Sequence, residues 1–180
     1  CPYGSRHDCV IAVSGGKDSL ALLDILTRLG YSPDALFIDE GIAGYREYAK
    51  EDLDRYVHAK NICLRTASFK DLLDANLDEV MRTQEFGACT VCGTLRRYLL
   101  NKHARDYDVL ATGHNMDDEA QTVLLNLARA NTDLLFRMGP STKASKHFVR
   151  KVKPFYQLTE KQLLIYTTIH GIKTHFGECP

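Results

Sequence analysis

The sequence predicts an α/β fold, a parallel sheet with helices on both faces, from three observations. Short apolar, β-branched runs alternate with helix-period segments along the chain. The runs are continuous in apolarity, as in strands covered on both sides. Three polar, glycine-containing turns, 14–19, 39–44 and 113–118, follow strand candidates, the end at which such sheets bind ligands. A chain of 180 residues has the length of one domain, and 1–180 is read as one.

Cys9-Val10-Ile11-Ala12-Val13 is the first buried strand, broken by Ser14-Gly15-Gly16. From Lys17 to Leu29, leucines recur at helical spacing (Leu20, Leu23, Leu26), and Gly30 supplies a C′ residue. Ala35-Leu36-Phe37-Ile38 is a second strand. Tyr45 to Lys60 reads as a polar-faced helix, Ile62-Cys63-Leu64 as a strand, and Phe69 to Met81 as one helix. Val91 to Arg105 makes a helix that begins inside a Cys-x-x-Cys pair. Asp108 to Thr112 is a fourth strand and Asp117 to Arg129 an amphipathic helix. Residues 141–145 form a loop. The last helix runs from Thr159, its N-cap, to His170, with Gly171 beyond the end.

Hydrophobic residues are 44% and charged residues 26%, which excludes wholesale disorder and a disulfide miniprotein. No apolar run approaches the ~20 residues that span a bilayer. The start Cys1-Pro2-Tyr3-Gly4 carries no signal peptide, so no membrane role and a cytoplasmic location are expected. The start also lacks a methionine, as in a piece of a longer protein. Net charge is zero, but unevenly placed. The stretches 86–105 and 141–153 hold four and five Arg/Lys and no acid. Solvated helix faces and a loop would explain them blandly; phosphate-backbone contact explains them functionally. Lys146, Arg150 and Lys151 are the candidates for contact with a nucleic-acid backbone.

Of six cysteines, Cys1, Cys9 and Cys63 are scattered and read as terminal, buried and buried thiols. Cys89 and Cys92 form the Cys-x-x-Cys pair, and Cys179 stands near the end. That spacing suggests metal, cluster or redox chemistry.

Ser14-Gly15-Gly16-Lys17-Asp18-Ser19 joins a strand to a helix start. Two glycines let backbone amides approach an anion. The helix start adds unpaired N–H groups, and two hydroxyls and a lysine add donors. A plain glycine turn explains the glycines but not Ser, Lys, Asp and Ser together. The segment lacks the spacing of a Walker A loop. It resembles the pyrophosphate loop of the PP-loop ATP pyrophosphatases, which have a Rossmann-like nucleotide α-hydrolase fold and cleave ATP between its α and β phosphates.

Two further segments narrow the resemblance. Gly113-His114-Asn115-Met116-Asp117-Asp118-Glu119-Ala120-Gln121-Thr122 and Ala88-Cys89-Thr90-Val91-Cys92-Gly93-Thr94-Leu95-Arg96-Arg97 resemble stretches of the tRNA 2-thiolation enzymes. Phe176-Gly177-Glu178-Cys179-Pro180 matches their late third cysteine. Together the likeness covers almost the whole chain. It points to tRNA 2-thiouridine synthetases of the archaeal and eukaryotic cytoplasmic type, with the bacterial 2-thiocytidine enzyme more distant. The resemblance implies zinc-finger modules on both sides of this core; only Cys1 and Pro2 precede it here. Zn²⁺ is therefore expected only in flanking modules absent from this sequence.

The resemblance implies that Ala12 and Ile38 hold adenine through backbone groups, and that Gly113 lets the backbone approach the nucleotide. Ser14, Gly15, Gly16, Lys17, Asp18 and Ser19 would cradle the phosphates. Asp117 and Asp118 would hold Mg²⁺, although three acids in a first turn also suit the helix dipole. Arg96, one turn past Cys92, would bridge the cysteine site and the phosphate. Ser14, Asp18, Arg96, Asp117 and Asp118 form the expected catalytic set. Cys89, Cys92 and Cys179 leave three readings open: three ligands of a [4Fe–4S] cluster, a persulfide pair, or a Zn²⁺ site. His114 is read as structural or nucleotide-proximal. Expected partners are tRNA, a ubiquitin-like sulfur carrier or free sulfide, and a second copy in a homodimer. Two other function classes share the fold. A carboxylate-activating synthetase would not need the three cysteines together. A nucleotide-sensing module like the universal stress proteins would bind ATP without releasing pyrophosphate.

Overall fold

The computed structural model describes residues 8–42, 46–82 and 85–174. Cys1, Cys179 and the expected helix start at Tyr45 lie outside these residues. Among the described residues the strands are β1 (Cys9–Val13), β2 (Asp34–Asp39), β3 (Leu64–Ser68), β4 (Val109–Thr112) and β5 (Arg150–Val152). They form one sheet in the order β3-β2-β1-β4-β5, and every pairing is parallel. The helices are α1 (Lys17–Arg28), α2 (Arg46–Lys60), α3 (Phe69–Leu73), α4 (Leu77–Met81), α5 (Ala88–His103), α6 (Met116–Ala128), α7 (Thr132–Leu135) and α8 (Glu160–Ile169).

Side chains alternate across a strand, so each central strand feeds two cores. Ile11, Val13, Ala35, Phe37 and Ala111 pack on one face with Leu20 and Leu23 of α1, Leu53 of α2 and Leu163 of α8. Val10, Leu36, Ile38 and Leu110 pack on the other with Phe69, Leu77 and Leu99 of α3, α4 and α5. That is why these strands read as unbroken apolar runs. Phe37 is fully buried, and burial of such a side chain contributes about 1.5–3 kcal/mol. Helices on both faces and the parallel sheet match the expectation.

Several boundaries differ. The third strand lies at Leu64–Ser68, not 62–64. Ile62 instead closes α2, its amide donating to the Val57 carbonyl at 2.9 Å beyond Asn61 at φ 52°. The strand itself is an edge with Arg65 and Thr66 both exposed, so it carries little apolar signal. The expected helix 69–81 is two helices. Asp74 turns left-handed at φ 56°, and Asn76 starts α4 with a capping box to Glu79. The acids there mark a second helix start. Helix α5 begins at Ala88, so both cysteines of the pair lie on the helix near its start, about one turn apart. Strand β5 and helix α7 were not expected; Arg150-Lys151-Val152 has no apolar pattern to reveal a strand.

Candidate active site

The sheet order turns back between β1 and β4, and the ends of those strands flank the crevice where open α/β sheets bind ligands. A cavity of about 250 Å³ opens there. Of the ten expected nucleotide residues, Ala12, Ser14, Asp18, Ser19, Ile38, Arg96 and Gly113 line it, together with Glu40, Thr112, His114 and Asp118. Gly15, Gly16 and Lys17 belong to the loop but not to the cavity wall.

The loop is held by its serines. Ser19 Oγ donates to the Gly16 carbonyl at 2.9 Å, and the Ser14 and Gly16 amides donate to Ser19 Oγ and Ser14 Oγ at 3.2 and 3.3 Å. Gly16 is the N-cap of α1 and provides no side-chain cap, so amides of the first turn remain available to an anion. Gly15 has φ +82°, and a Cβ there would meet the Ala49 carbonyl oxygen at 2.5 Å. A Cβ on Gly113 would lie 3.0 Å from the Asp18 backbone. In this structure Gly113 admits the start of α1 against β4, which is a packing reason for the glycine.

Asp18 reaches across this junction. Its Oδ2 accepts from Lys17 Nζ at 3.3 Å and Asn115 Nδ2 at 3.5 Å. Its Oδ1 is buried without a hydrogen-bond partner. Burial pushes the Asp18 carboxyl above its ordinary pKa, against the pull of Lys17, and Asp118 adds to the rise. A buried orphan carboxylate oxygen facing a second carboxylate fits a divalent cation by its donor chemistry.

The other acids have structural work as well. Asp118 Oδ2 accepts from the Asn115 amide at 2.9 Å, closing the capping box of α6. Asp117 lies outside the cavity wall, and its Oδ2 accepts from the Glu160 amide at 2.6 Å, tying α6 to α8. Glu160 in turn binds Lys17 at 2.8 Å. Burial holds His114 below its ordinary pKa; the ring lines the cavity, with Nδ1 2.9 Å from Thr112 Oγ1.

Arg96 connects two sites. Its Nε lies 2.6 Å from Glu40 Oε1, and its guanidinium donates to Cys92 Sγ at 3.3 Å. Burial works against its charge, but Glu40 and Cys92 outweigh it and raise the pKa. Cys92 is buried and Cys89 exposed, three positions apart on α5. Among the described residues no three metal-ligating side chains converge; the expected third, Cys179, lies outside them. Cys9 is a half-buried thiol raised in pKa by burial. Cys63, expected as a buried thiol, is half-buried and disulfide-bonded. Glu40 is the residue sequence reasoning missed. Its only signal was its place in a polar turn after a strand.

The two acid-free stretches meet. Asn101 of α5 donates to the His147 carbonyl at 2.5 Å and accepts from the Val149 amide at 2.9 Å. Lys146 and Arg150 are exposed. Lys151 is half-buried, and burial, then the charges of Arg97 and Lys153, hold its pKa down. Arg150 and Lys151 stand on the edge strand β5, whereas Lys146 stands in the loop before it.

A family model described as a PP-loop domain matches residues 4–176. The chain is 38% identical over 173 residues to a tRNA-5-methyluridine(54) 2-sulfurtransferase of Thermus thermophilus, covering 95% of this chain and 54% of that protein. It is 36% identical over 186 residues to cytoplasmic tRNA 2-thiolation protein 1 of Arabidopsis thaliana, covering 98% and 52%. Among solved structures, a U34-tRNA thiolase, NcsA, from Methanococcus maripaludis with its [4Fe–4S] cluster superposes with a TM-score of 0.85 at 32% identity. That match covers 96% of this chain and 59% of the thiolase. The chain spans about half the length of the curated relatives it matches. A serine-pinned glycine loop at the sheet's switch point, backed by a family match over nearly the whole chain, makes this a member of the PP-loop domain family.

Proposed function

We propose that the chain is the catalytic core of an ATP-dependent tRNA 2-thiolation enzyme. The observation that carries this reading is the Arg96 guanidinium, which touches Cys92 and also lines the cavity beside the phosphate loop. Phosphate and sulfur chemistry need adjoining sites in such an enzyme, and the names of the relatives agree with it.

ATP would lie across the strand ends, with adenine against Ala12 and Ile38 and phosphates against the Ser14–Ser19 loop. The C2 oxygen of a tRNA uridine attacks the α-phosphorus, the α–β bridge breaks, and pyrophosphate leaves. An amide-like carbonyl has a poor leaving group; adenylation lets its oxygen depart with AMP when sulfur attacks C2. The α1 amides and Arg96 stabilise charge on the departing pyrophosphate. The residues Asp18 and Asp118 would hold Mg²⁺, with Asp117 orienting α8 rather than touching the ion. Cys89 and Cys92 suit a [4Fe–4S] cluster as two soft ligands one helical turn apart, with Cys179 as the third. Such a cluster would supply an iron open to sulfide.

Partners follow from the same reading. The Arg97–Lys151–Lys153 charge cluster would take RNA phosphates, and the sulfur would come from a carrier protein or free sulfide. A second copy of the chain would pair through α6, where Leu124, Leu125 and Leu127 are uncovered and an apolar face is self-complementary about a two-fold axis. No described helix is long and apolar enough to cross a membrane, and the proposed location is cytoplasmic.

The deciding experiment is pyrophosphate release from ATP in the presence of tRNA, with mass spectrometry of the tRNA nucleosides. Wild type should release pyrophosphate and form a 2-thiopyrimidine. Asp18→Ala should fold and lose both. Release at the wild-type rate in that variant refutes the assignment of the loop.

A further inference from the structure

Glu40 is fully buried and contributes to the cavity wall. A buried carboxylate is costly unless paired, and the guanidinium of Arg96 meets it at 2.6 Å. The two partners are not equally free. Glu40 follows the last residue of β2, and its carbonyl accepts from the Leu77 amide at 2.9 Å. The next residue, Gly41, has φ +69° and donates its amide to Asp39 Oδ1 at 2.9 Å. A Cβ on Gly41 would sit 2.6 Å from Asn76 Cβ, so the turn packs directly on the cap of α4. Glu40 is thus pinned through its backbone by the sheet, the turn and α4. Arg96 projects from α5 on a long side chain.

The guanidinium is a planar fork of five donors. The ion pair with Glu40 at Nε and the hydrogen bond from one terminal nitrogen to Cys92 hold the guanidinium on two sides, although Nε–H itself is not aligned on the carboxylate, and Arg96 also lines the cavity. We propose that Glu40 is a positioning residue that holds Arg96 between Cys92 and the nucleotide. Without it, the arginine would follow whichever neighbour carried more negative charge. With it, one side chain serves the sulfur site and the phosphate site together. This rests on the reading of the cavity as an ATP site and adds a residue that acts on the nucleotide only through Arg96.

The test is a double-mutant cycle on binding. A non-hydrolysable ATP analogue bridged by a methylene between the α and β phosphates is titrated calorimetrically into the whole chain without a cluster. Wild type, Glu40→Gln, Arg96→Ala and the double variant are compared. Glutamine keeps the volume and one acceptor but removes the charge. Glu40→Gln should weaken binding about five- to tenfold, the size of one ordinary hydrogen bond. The double variant should bind no more weakly than Arg96→Ala alone. In pyrophosphate release, Glu40→Gln should raise KM for ATP, whereas partial unfolding would lower only the active fraction. Should Glu40→Gln not fold, Glu40→Asp, which keeps the charge but shortens the reach, carries the same cycle. An equal loss from Glu40→Gln whether or not the Arg96 side chain is present, or an unchanged affinity, overturns the proposal. Wild type that binds no analogue overturns the ATP reading itself, and this inference with it.

Discussion

At the scale of single residues, a buried carboxylate holds the helices of one face together. Asp24 is 2% exposed and accepts from Tyr56 Oη at 2.8 Å, Tyr166 Oη at 2.7 Å and Arg28 Nε at 2.6 Å. One α1 side chain thereby joins α2 and α8. Burial alone would raise its pKa, but donation from Tyr166, Tyr56 and Arg28 outweighs burial and lowers it. The native state then binds this proton more weakly than the unfolded chain does. Asp24 therefore stabilises fully above the unfolded value of about 3.9. That contribution is lost as pH falls through the lower native value. Asp24→Ala should cost about 2–4 kcal/mol at pH 7 by urea denaturation, because two tyrosine hydroxyls lose their acceptor. The variant should also lose stability less steeply than wild type below pH 4. Gly15 makes a separate expectation. Gly15→Ala must bear φ +82° and a contact at 2.5 Å with the Ala49 carbonyl. It should lower the melting midpoint, by about 1–3 kcal/mol in stability, and weaken ATP binding, since the strain falls on the phosphate loop.

At the scale of elements, the decisive joint is between α5 and the segment leading to β5. Neither stretch of basic residues names the other in sequence. The Asn101 side chain joins them through two main-chain hydrogen bonds, and the Ser141–Val152 bridge closes the segment on itself. Asn101→Ala should free residues 147–149 and raise the Kd for tRNA severalfold while leaving ATP affinity unchanged, read by filter binding and calorimetry. Neutralising Lys146, Arg150 and Lys151 together should flatten the slope of log affinity against log salt by roughly two to three units. An unchanged slope assigns these side chains to solvent. Helix boundaries show the same dependence on neighbours. The break at Asp74 was hidden because its acids suit a helix interior pattern as well as a second N-terminus, and only the Asn76 capping box distinguishes them.

At the scale of the whole molecule, the sheet order decides where chemistry can occur. Strands β1 and β4 are neighbours although about a hundred residues separate them, so the loops after each face one another. That juxtaposition places Asp18 beside Asn115 and packs Gly113 against the start of α1. The second feature at this scale is α6, which buries Glu119 and Asn126 and exposes Leu124 at 66% and Leu127 at 58%. The glutamate is held by Lys153 at 2.6 Å. If two copies pair there, light scattering should give twice the chain mass, and Leu124→Glu with Leu127→Glu should halve it without changing ATP affinity. A monomeric wild type would refute the pairing.

The sequence alone determined the class of fold, because strands buried on both faces must be apolar throughout and helices must show one apolar stripe. It also marked the Ser14–Ser19 loop, whose glycines and serines act locally within six residues, and the Cys89–Cys92 pair, although it started the helix at Val91 and the structure places both cysteines on it. The edge strands β3 and β5 escaped it, since an edge strand needs only backbone pairing and Arg65, Thr66 and Arg150 are exposed. The partner of Arg96 escaped it too. Glu40 and Arg96 meet at 2.6 Å across 56 positions of sequence, and a charge pair between elements leaves no periodicity to read. Tertiary structure alone decided which turns share a cavity, because long-range contacts are set by the order in which the strands assemble, not by any local pattern.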